Sequence, residues 1–248
     1  MIKNSILFLA IILLGMSCKV NRESRQKATV IGTADNHDTM KSNNLDTKSL
    51  EFQLNERREA FAQKAPADVK EKYEAGVKAV ATSGVLKTAL NVGDKAIDFA
   101  LKNQNNETVT LFQELKKGPV VLTWYRGGWC PYCNLTLRYL QDRLPDFKSE
   151  GASLIAITPE LPDQSLNTSE KNNLEFTVLS DVGNLTGKKY GLVFKLTKEV
   201  ADIYQNNFNL HAYNGDESDE LPVAATYVIG TDGIVKYAFL DADYRKRA

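Results

Sequence analysis

The chain has 248 residues, of which 43% are hydrophobic and 25% charged, so it can bury a core without disulfide staples and suits one main domain plus appendages. Lysine plus arginine equals aspartate plus glutamate at 31 each, which leaves no global field to draw nucleic acid or an anionic membrane surface. Two of the 3 cysteines sit together and the third lies far away, which excludes a disulfide-dense scaffold; the 2 histidines and one C-x-x-C pair are too few for a closed zinc site, and no cofactor is expected.

The chain opens MIKNSILFLAIILLGMSC. One early lysine precedes an apolar run from Ile6 to Leu14, too short to span a bilayer comfortably but suited to the centre of a secretory signal. Cys18 follows small residues and resembles the processing site of bacterial lipoproteins, with Gly15 where a leucine is usual and Leu14 one place further out. Residues 1–18 are therefore expected to be a signal peptide with Cys18 as its candidate lipidation site. The expected location is outside the cytoplasm of a bacterium, as a periplasmic or membrane-anchored lipoprotein. Residues 19–47, rich in Asn, Lys, Thr, Asp and Ser, cannot bury enough apolar surface to offset ordering entropy and form a predicted flexible linker.

Residues 48–90 predict a helical hairpin. Leu50, Leu54 and Phe61 share one helical face, Pro66 interrupts, and Val69, Tyr73, Val77 and Val80 share a second. Asp68 followed by Glu71 suggests a capping box, and Gly84 a stop. From residue 91 the pattern becomes short apolar runs alternating with helical stretches. Strands are predicted at Thr108–Phe112, Val120–Tyr125, Leu154–Thr158, Phe176–Leu179, Thr226–Ile229 and Ile234–Leu240. Helices are predicted along Leu137–Phe147 and at Asp163–Asn172, Gly183–Tyr190 and Lys198–Asn206. This succession implies an α/β domain over 91–248, with a central mixed, mostly parallel sheet covered by helices on both faces. Thr231-Asp232-Gly233 signals a tight turn pairing the last two strands.

Within that frame, WYRGGWCPYCN joins a buried strand to a helix. Pro131 suits the first helical position, which makes Cys130 the cap and places Cys133 one turn along. A thiolate at a helix N-terminus meets unpaired N–H groups and the positive end of the dipole, and Arg126 adds a permanent charge. Cys130 is thus expected to be the more exposed and more acidic sulfur, with Cys133 behind it, and the pair can close and reopen as a disulfide. Trp124, Trp129 and Tyr132 are expected to serve mainly as packing, with Trp129 the best placed of them to touch substrate. The acidic loop Tyr213–Glu220 lacks the spacing of a calcium loop and reads as solvated, and His211 reads as structural.

YRGGWCPYCN, the later LPVAATYVIGTDGIVKYAF, the opening VGDKAIDFALKNQNNETVTLFQELKKGPVVLTWYRG and the middle FTVLSDVGNLTGKKYGLVFKL resemble the thioredoxin-fold superfamily. Within it they are similar to the peroxiredoxin-like branch of the alkyl hydroperoxide reductase and thiol-specific antioxidant family, over roughly residues 85–248. The resemblance implies a thioredoxin-like fold and a thiol-dependent peroxidase acting on hydrogen peroxide or organic hydroperoxides through a reversible Cys130–Cys133 disulfide. It further implies an external dithiol reductant such as a thioredoxin-like protein.

Several positions depart from the family pattern. In one register Arg126 takes the place of a proline, Cys130 that of a threonine and Cys133 that of the peroxide-attacking cysteine. In the other, Cys130 attacks, and Thr123 and Gly127 stand where proline and threonine belong. No arginine lies between Ala212 and Val235 to complete the pocket, Ile97 replaces a usual proline, and Ala224 stands where a cis-proline would face the disulfide, with Pro222 two places early. DADYRKRA after the last strand leaves no room for the C-terminal helix of a thioredoxin fold, so either the sequence is truncated or something else covers that face. An exported thiol–disulfide oxidoreductase acting on protein disulfides is the alternative expectation, and a non-catalytic redox sensor a third.

Overall fold

The computed structural model describes residues 49–248. The expected signal peptide with Cys18, and the linker, lie outside the described residues. The hairpin consists of α1 (Leu50–Lys64) and α2 (Ala67–Thr82). Ser49 starts the first by accepting the Phe52 N–H on its hydroxyl at 3.2 Å. Pro66, at the N-cap of α2, separates the two. The expected capping box at Asp68 does not form: the proline-set entry starts the helix earlier, so Asp68 falls in the first turn, 3.1 Å from Lys72. Gly84, at φ +88, ends α2 and leads into the short α3 (Val85–Thr88).

The sheet follows. Strands β1 (Ala100–Asn103) and β2 (Thr108–Thr110) pair antiparallel before α4 (Leu111–Leu115). The strand expected at Thr108–Phe112 therefore stops early, because Asp98 accepts the Phe112 N–H at 3.0 Å and offers the backbone a helical start. Next come β3 (Val120–Trp124), α5 (Pro131–Asp142), α6 (Leu144–Ser149) and β4 (Ser153–Thr158). The single helix expected along Leu137–Phe147 divides at Arg143, since Pro145 has no N–H to continue the ladder. After α7 (Pro162–Lys171) and β5 (Thr177–Ser180), a 3-10 turn at Val182–Asn184 leads to α8 (Leu185–Lys189) and β6 (Val193–Lys195). Then α9 (Lys198–Phe208), α10 (Leu210–Asn214) and β7 (Glu220–Pro222) precede the closing hairpin of β8 (Thr226–Ile229) and β9 (Val235–Phe239). Strands β1, β6 and β7 are absent from the sequence reading; they are three or four residues long and carry no alternation to detect.

Seven strands form one sheet in the order β2-β1-β5-β4-β3-β8-β9, and β6 with β7 forms a separate ribbon. The sheet is mixed, as expected, but its parallel part is narrower than expected. Only β3 with β4 and β4 with β5 run parallel; β1–β2, β1–β5, β3–β8 and β8–β9 are antiparallel. Strand periodicity sends alternate residues of β3 to opposite faces. Val121, continued by Tyr125, packs with Leu50 and Leu54 of α1, Tyr73 of α2, Leu137 of α5 and Tyr204 of α9. Val120, Leu122 and Trp124 pack instead with Leu111, Leu115, Tyr190 and Tyr227. The redox segment leaves β3 toward the first of these faces. Among the described residues no helix is long and apolar enough to cross a membrane.

Candidate active site

The loop after β3 needs both of its glycines, for different reasons. Gly127 has φ +150, and a Cβ there would lie 2.2 Å from Trp129 Nε1. Gly128 has room for no side chain, since a Cβ would lie 2.0 Å from Thr168 Oγ1. Its peptide groups are clamped from both directions: the N–H donates to Glu160 Oε1 at 2.8 Å, and the carbonyl accepts from Asn134 Nδ2 at 2.7 Å. Asn172 Nδ2 donates to Asn134 Oδ1 at 2.8 Å and so ties α7 to α5 behind the loop. Cys130 is the N-cap of α5 and Pro131 its first residue, as the sequence predicts.

Cys130 and Cys133 are both unbonded thiols and both fully buried. The expectation that Cys130 is the more exposed sulfur is therefore corrected: aromatic residues from α9 and the segment after β9 close over it. Arg126, only 3% exposed, donates from Nη2 to Cys130 Sγ at 3.0 Å and from Nη1 to Tyr204 Oη at 2.8 Å. Its guanidinium lies 3.7 Å from the ring centroid of Tyr244 and 5.2 Å from that of Trp129. Among the described residues, no carboxylate shares a hydrogen bond with it. The acidic groups acting on it are the thiols Cys130 and Cys133 and the phenols Tyr204 and Tyr244. Of these, thiols ionise more readily than phenols, by about 1.5 pKa units in the unperturbed state.

Burial alone would raise the Cys130 thiol. The hydrogen bond from Cys133 and the charges of Arg126 and Arg247 outweigh it and hold Cys130 well below the ordinary thiol range. Burial, the hydrogen bond given to Cys130 and the negative charge of that sulfur push Cys133 well above it. The two sulfurs are thus driven in opposite directions, Cys130 toward the thiolate and Cys133 toward the thiol.

The covering groups are long-range in sequence. Tyr244 packs edge-on against Tyr132 with centroids 5.6 Å apart, and Arg247 Nη2 comes within 3.6 Å of Cys133 Sγ. Arg245 anchors this tail through Glu74 of α2 and, at 2.7 Å, Asp243. Trp129 stacks on Phe208, centroids 5.4 Å apart, whereas Trp124 lies on the opposite face against Tyr190. A chamber of about 50 Å³, lined by Arg126, Trp129, Tyr132, Tyr204 and Tyr244 among others, lies beside the redox loop and has room for a molecule of a few heavy atoms.

Sequence reasoning missed Glu160, Tyr204, Tyr244 and Arg247. Glu160 is fully buried; besides the Gly128 N–H it meets the hydroxyls of Thr158 and Thr168, each at 3.4 Å, and burial raises its carboxyl above the usual range. Its signal was available, since a charged residue two places beyond the end of β4 is a candidate for a buried role. Tyr204 shares a helical face with Val200 but reads as ordinary core. Arg247 lies in a charged tail with no pattern at all. The acidic loop is engaged internally: Asp216 accepts from Ser218 at 2.6 Å, Asp219 holds His211 at 2.9 Å, and Glu220 pairs with Lys188 at 2.7 Å.

The AhpC/TSA family model matches residues 92–238, more than half of the chain. The chain belongs to the AhpC/TSA family. It is a peroxiredoxin-like member, an oxidoreductase working through cysteine thiols. A chloroplastic peroxiredoxin Q from Triticum aestivum is 27% identical over 176 residues, covering 71% of this chain and 71% of that protein. The putative peroxiredoxin bcp of Buchnera aphidicola is 31% identical over 129 residues, 50% of this chain and 80% of that one. Among solved structures, peroxidoxin BcpB from Mycobacterium tuberculosis matches with a TM-score of 0.51 at 22% identity, covering 63% of this chain and 91% of its own, a likeness of fold.

Proposed function

We propose that this thiol-dependent peroxidase uses Cys130 as the peroxide-attacking thiolate, Cys133 as the resolving thiol and Arg126 as the group that keeps Cys130 ionised. One observation carries the assignment: a buried guanidinium, paired with no carboxylate among the described residues, donates to Cys130 Sγ at 3.0 Å. The thiolate attacks the terminal oxygen of a hydroperoxide; an S–O bond forms, the O–O bond breaks and the alkoxide leaves as alcohol or water after taking a proton. Cys130 is then a sulfenic acid. The Cys133 sulfur attacks it, water departs, and the Cys130–Cys133 disulfide remains for an external dithiol, such as a thioredoxin-like protein, to reduce. Oxidation also strips Arg126 of its counter-charge, which favours loosening of the aromatic cover and admits the reductant.

The decisive measurement mixes the reduced protein with one equivalent of hydrogen peroxide and counts thiols over seconds. Two thiols are lost from the native chain and none from Cys130→Ser, while Cys133→Ser stops at a sulfenic acid that dimedone traps. Peroxide consumption by Cys130→Ser at the native rate overturns the assignment. Direct action on protein disulfides is not favoured, because the relatives are peroxiredoxins and the reduced thiolate lies beneath a cover that a small peroxide passes more readily than a protein.

Export with lipidation at Cys18 belongs to the same proposal, supported by the apolar run before that cysteine. Labelled fatty acid should enter the native chain in a bacterial host and be absent from Cys18→Ser; equal labelling of both rejects it.

A further inference from the structure

A cleft of about 700 Å³ lies alongside the redox loop and shares Arg57, Trp129, Pro131 and Phe208 with the smaller chamber. Trp129 and Pro131, the two neighbours of Cys130, form part of its wall. Three cations from three different helices also line it: Arg57 of α1, Arg138 of α5 and Lys171 at the end of α7. Among the described residues, no aspartate or glutamate does. None of the three takes part in an ion pair among the described residues, and Arg138 spends its guanidinium on the neutral Asn172 oxygen at 2.9 Å. Because the whole chain is charge-balanced, this is a local positive concavity rather than part of a basic surface.

We propose that the cleft docks an acidic segment flanking the dithiol of the electron donor. The proposal rests on the peroxidase reading for the need of a donor. Arg138 and Lys171 are exposed and Arg57 half-buried, so the cations stand apart around an accessible rim. That spacing suits several carboxylates displayed along a peptide better than one small anion. A segment seated there places its thiols next to Trp129 and Pro131, one residue from Cys130 on either side. One donor thiolate attacks a sulfur of the Cys130–Cys133 bond and expels the other, which takes a proton. The second donor thiol then attacks the mixed disulfide, leaving the donor oxidised and both chain cysteines reduced.

The test needs no peroxide. The protein is oxidised with diamide, and the rate of disulfide reduction is followed with three probes: an Asp/Glu-flanked Cys-Gly-Pro-Cys peptide, its lysine-flanked counterpart, and dithiothreitol. The acidic peptide is expected to react at least about tenfold faster than the basic one at low salt, with the gap shrinking as ionic strength rises. Arg57→Glu combined with Lys171→Glu should abolish or invert that preference while leaving the dithiothreitol rate unchanged. Equal rates for the two peptides, or a preference that survives the double substitution, overturns the docking proposal. Failure to consume peroxide in a separate assay, with the peptide preference intact, counts against the peroxidase reading alone. If diamide forms no Cys130–Cys133 disulfide, both fall.

Discussion

The two faces of the sheet are built from the same strand and differ in what they bury. Beneath one, Trp124 packs against Tyr190 and Tyr227 at 4.8 and 5.9 Å, and the two tyrosine hydroxyls donate to the carbonyls of Ile97 and Leu90 at 2.7 and 3.0 Å. Beneath the other, the equally closed interior holds Arg126, Glu160, Asn134 and Asn172. Burying a charge is costly unless it is paired, so each ionisable group inside the second face needs a partner. Arg126 donates to the Cys130 sulfur, and Glu160 accepts from a peptide N–H of the loop that carries that sulfur.

The largest expected effect that separates the faces is Cys130→Ser, which should reduce peroxide turnover to background while leaving the circular dichroism spectrum intact. Arg126→Gln comes next. It should move the midpoint of iodoacetamide reactivity against pH upward, toward the ordinary thiol value of about 8.5, with roughly tenfold less thiolate at neutral pH per unit moved. Leu122→Ala, on the opposite face, should cost about 2–5 kcal/mol in urea unfolding and leave that midpoint where it was. A shifted midpoint in Leu122→Ala would show that the two faces are not separable.

Glu160 sharpens the comparison further. Glu160→Leu leaves the Gly128 N–H without a partner and should cost about 1–3 kcal/mol, whereas Glu160→Gln retains an acceptor. The sign with pH follows from burial raising the folded carboxyl above its unfolded value. Its favourable contribution is present below the unfolded pKa, about 4.3, and is lost as pH rises through the folded one. Glu160→Gln should therefore gain on the native chain at pH 7 and lose that advantage near pH 4, as read by urea unfolding at both. The smallest effect belongs to Glu74→Gln. Glu74 is a largely exposed anchor of Arg245, so stability should change by less than about 1 kcal/mol. A modest rise in cysteine alkylation rate in that variant would show the tail opening.

Most of the redox helix is legible in the sequence. Pro131 at the first helical position, Cys130 as cap and Arg126 four residues before it are local relations, and local spacing determines them. Strands β8 and β9 stand out because alternation and a turn signal coincide. The capping box at Asp68 misled because Pro66 sets where α2 begins, and the Leu137–Phe147 helix misled because its apolar spacing runs straight across Pro145. The exposure expected for Cys130 failed for a different reason: its cover comes from Tyr204, in α9, and Tyr244, after β9, neither of which carries any mark of being near residue 130.

By itself the sequence determined the redox motif: a paired-thiol spacing at a helix start, with an adjoining arginine and two glycines before it. Helix position already marks Cys130 as the more acidic of the two sulfurs. Tertiary structure alone decided that both are buried and that Tyr204, Tyr244 and Arg247 close around Arg126 and the pair, because that dryness and added charge come from segments distant in sequence.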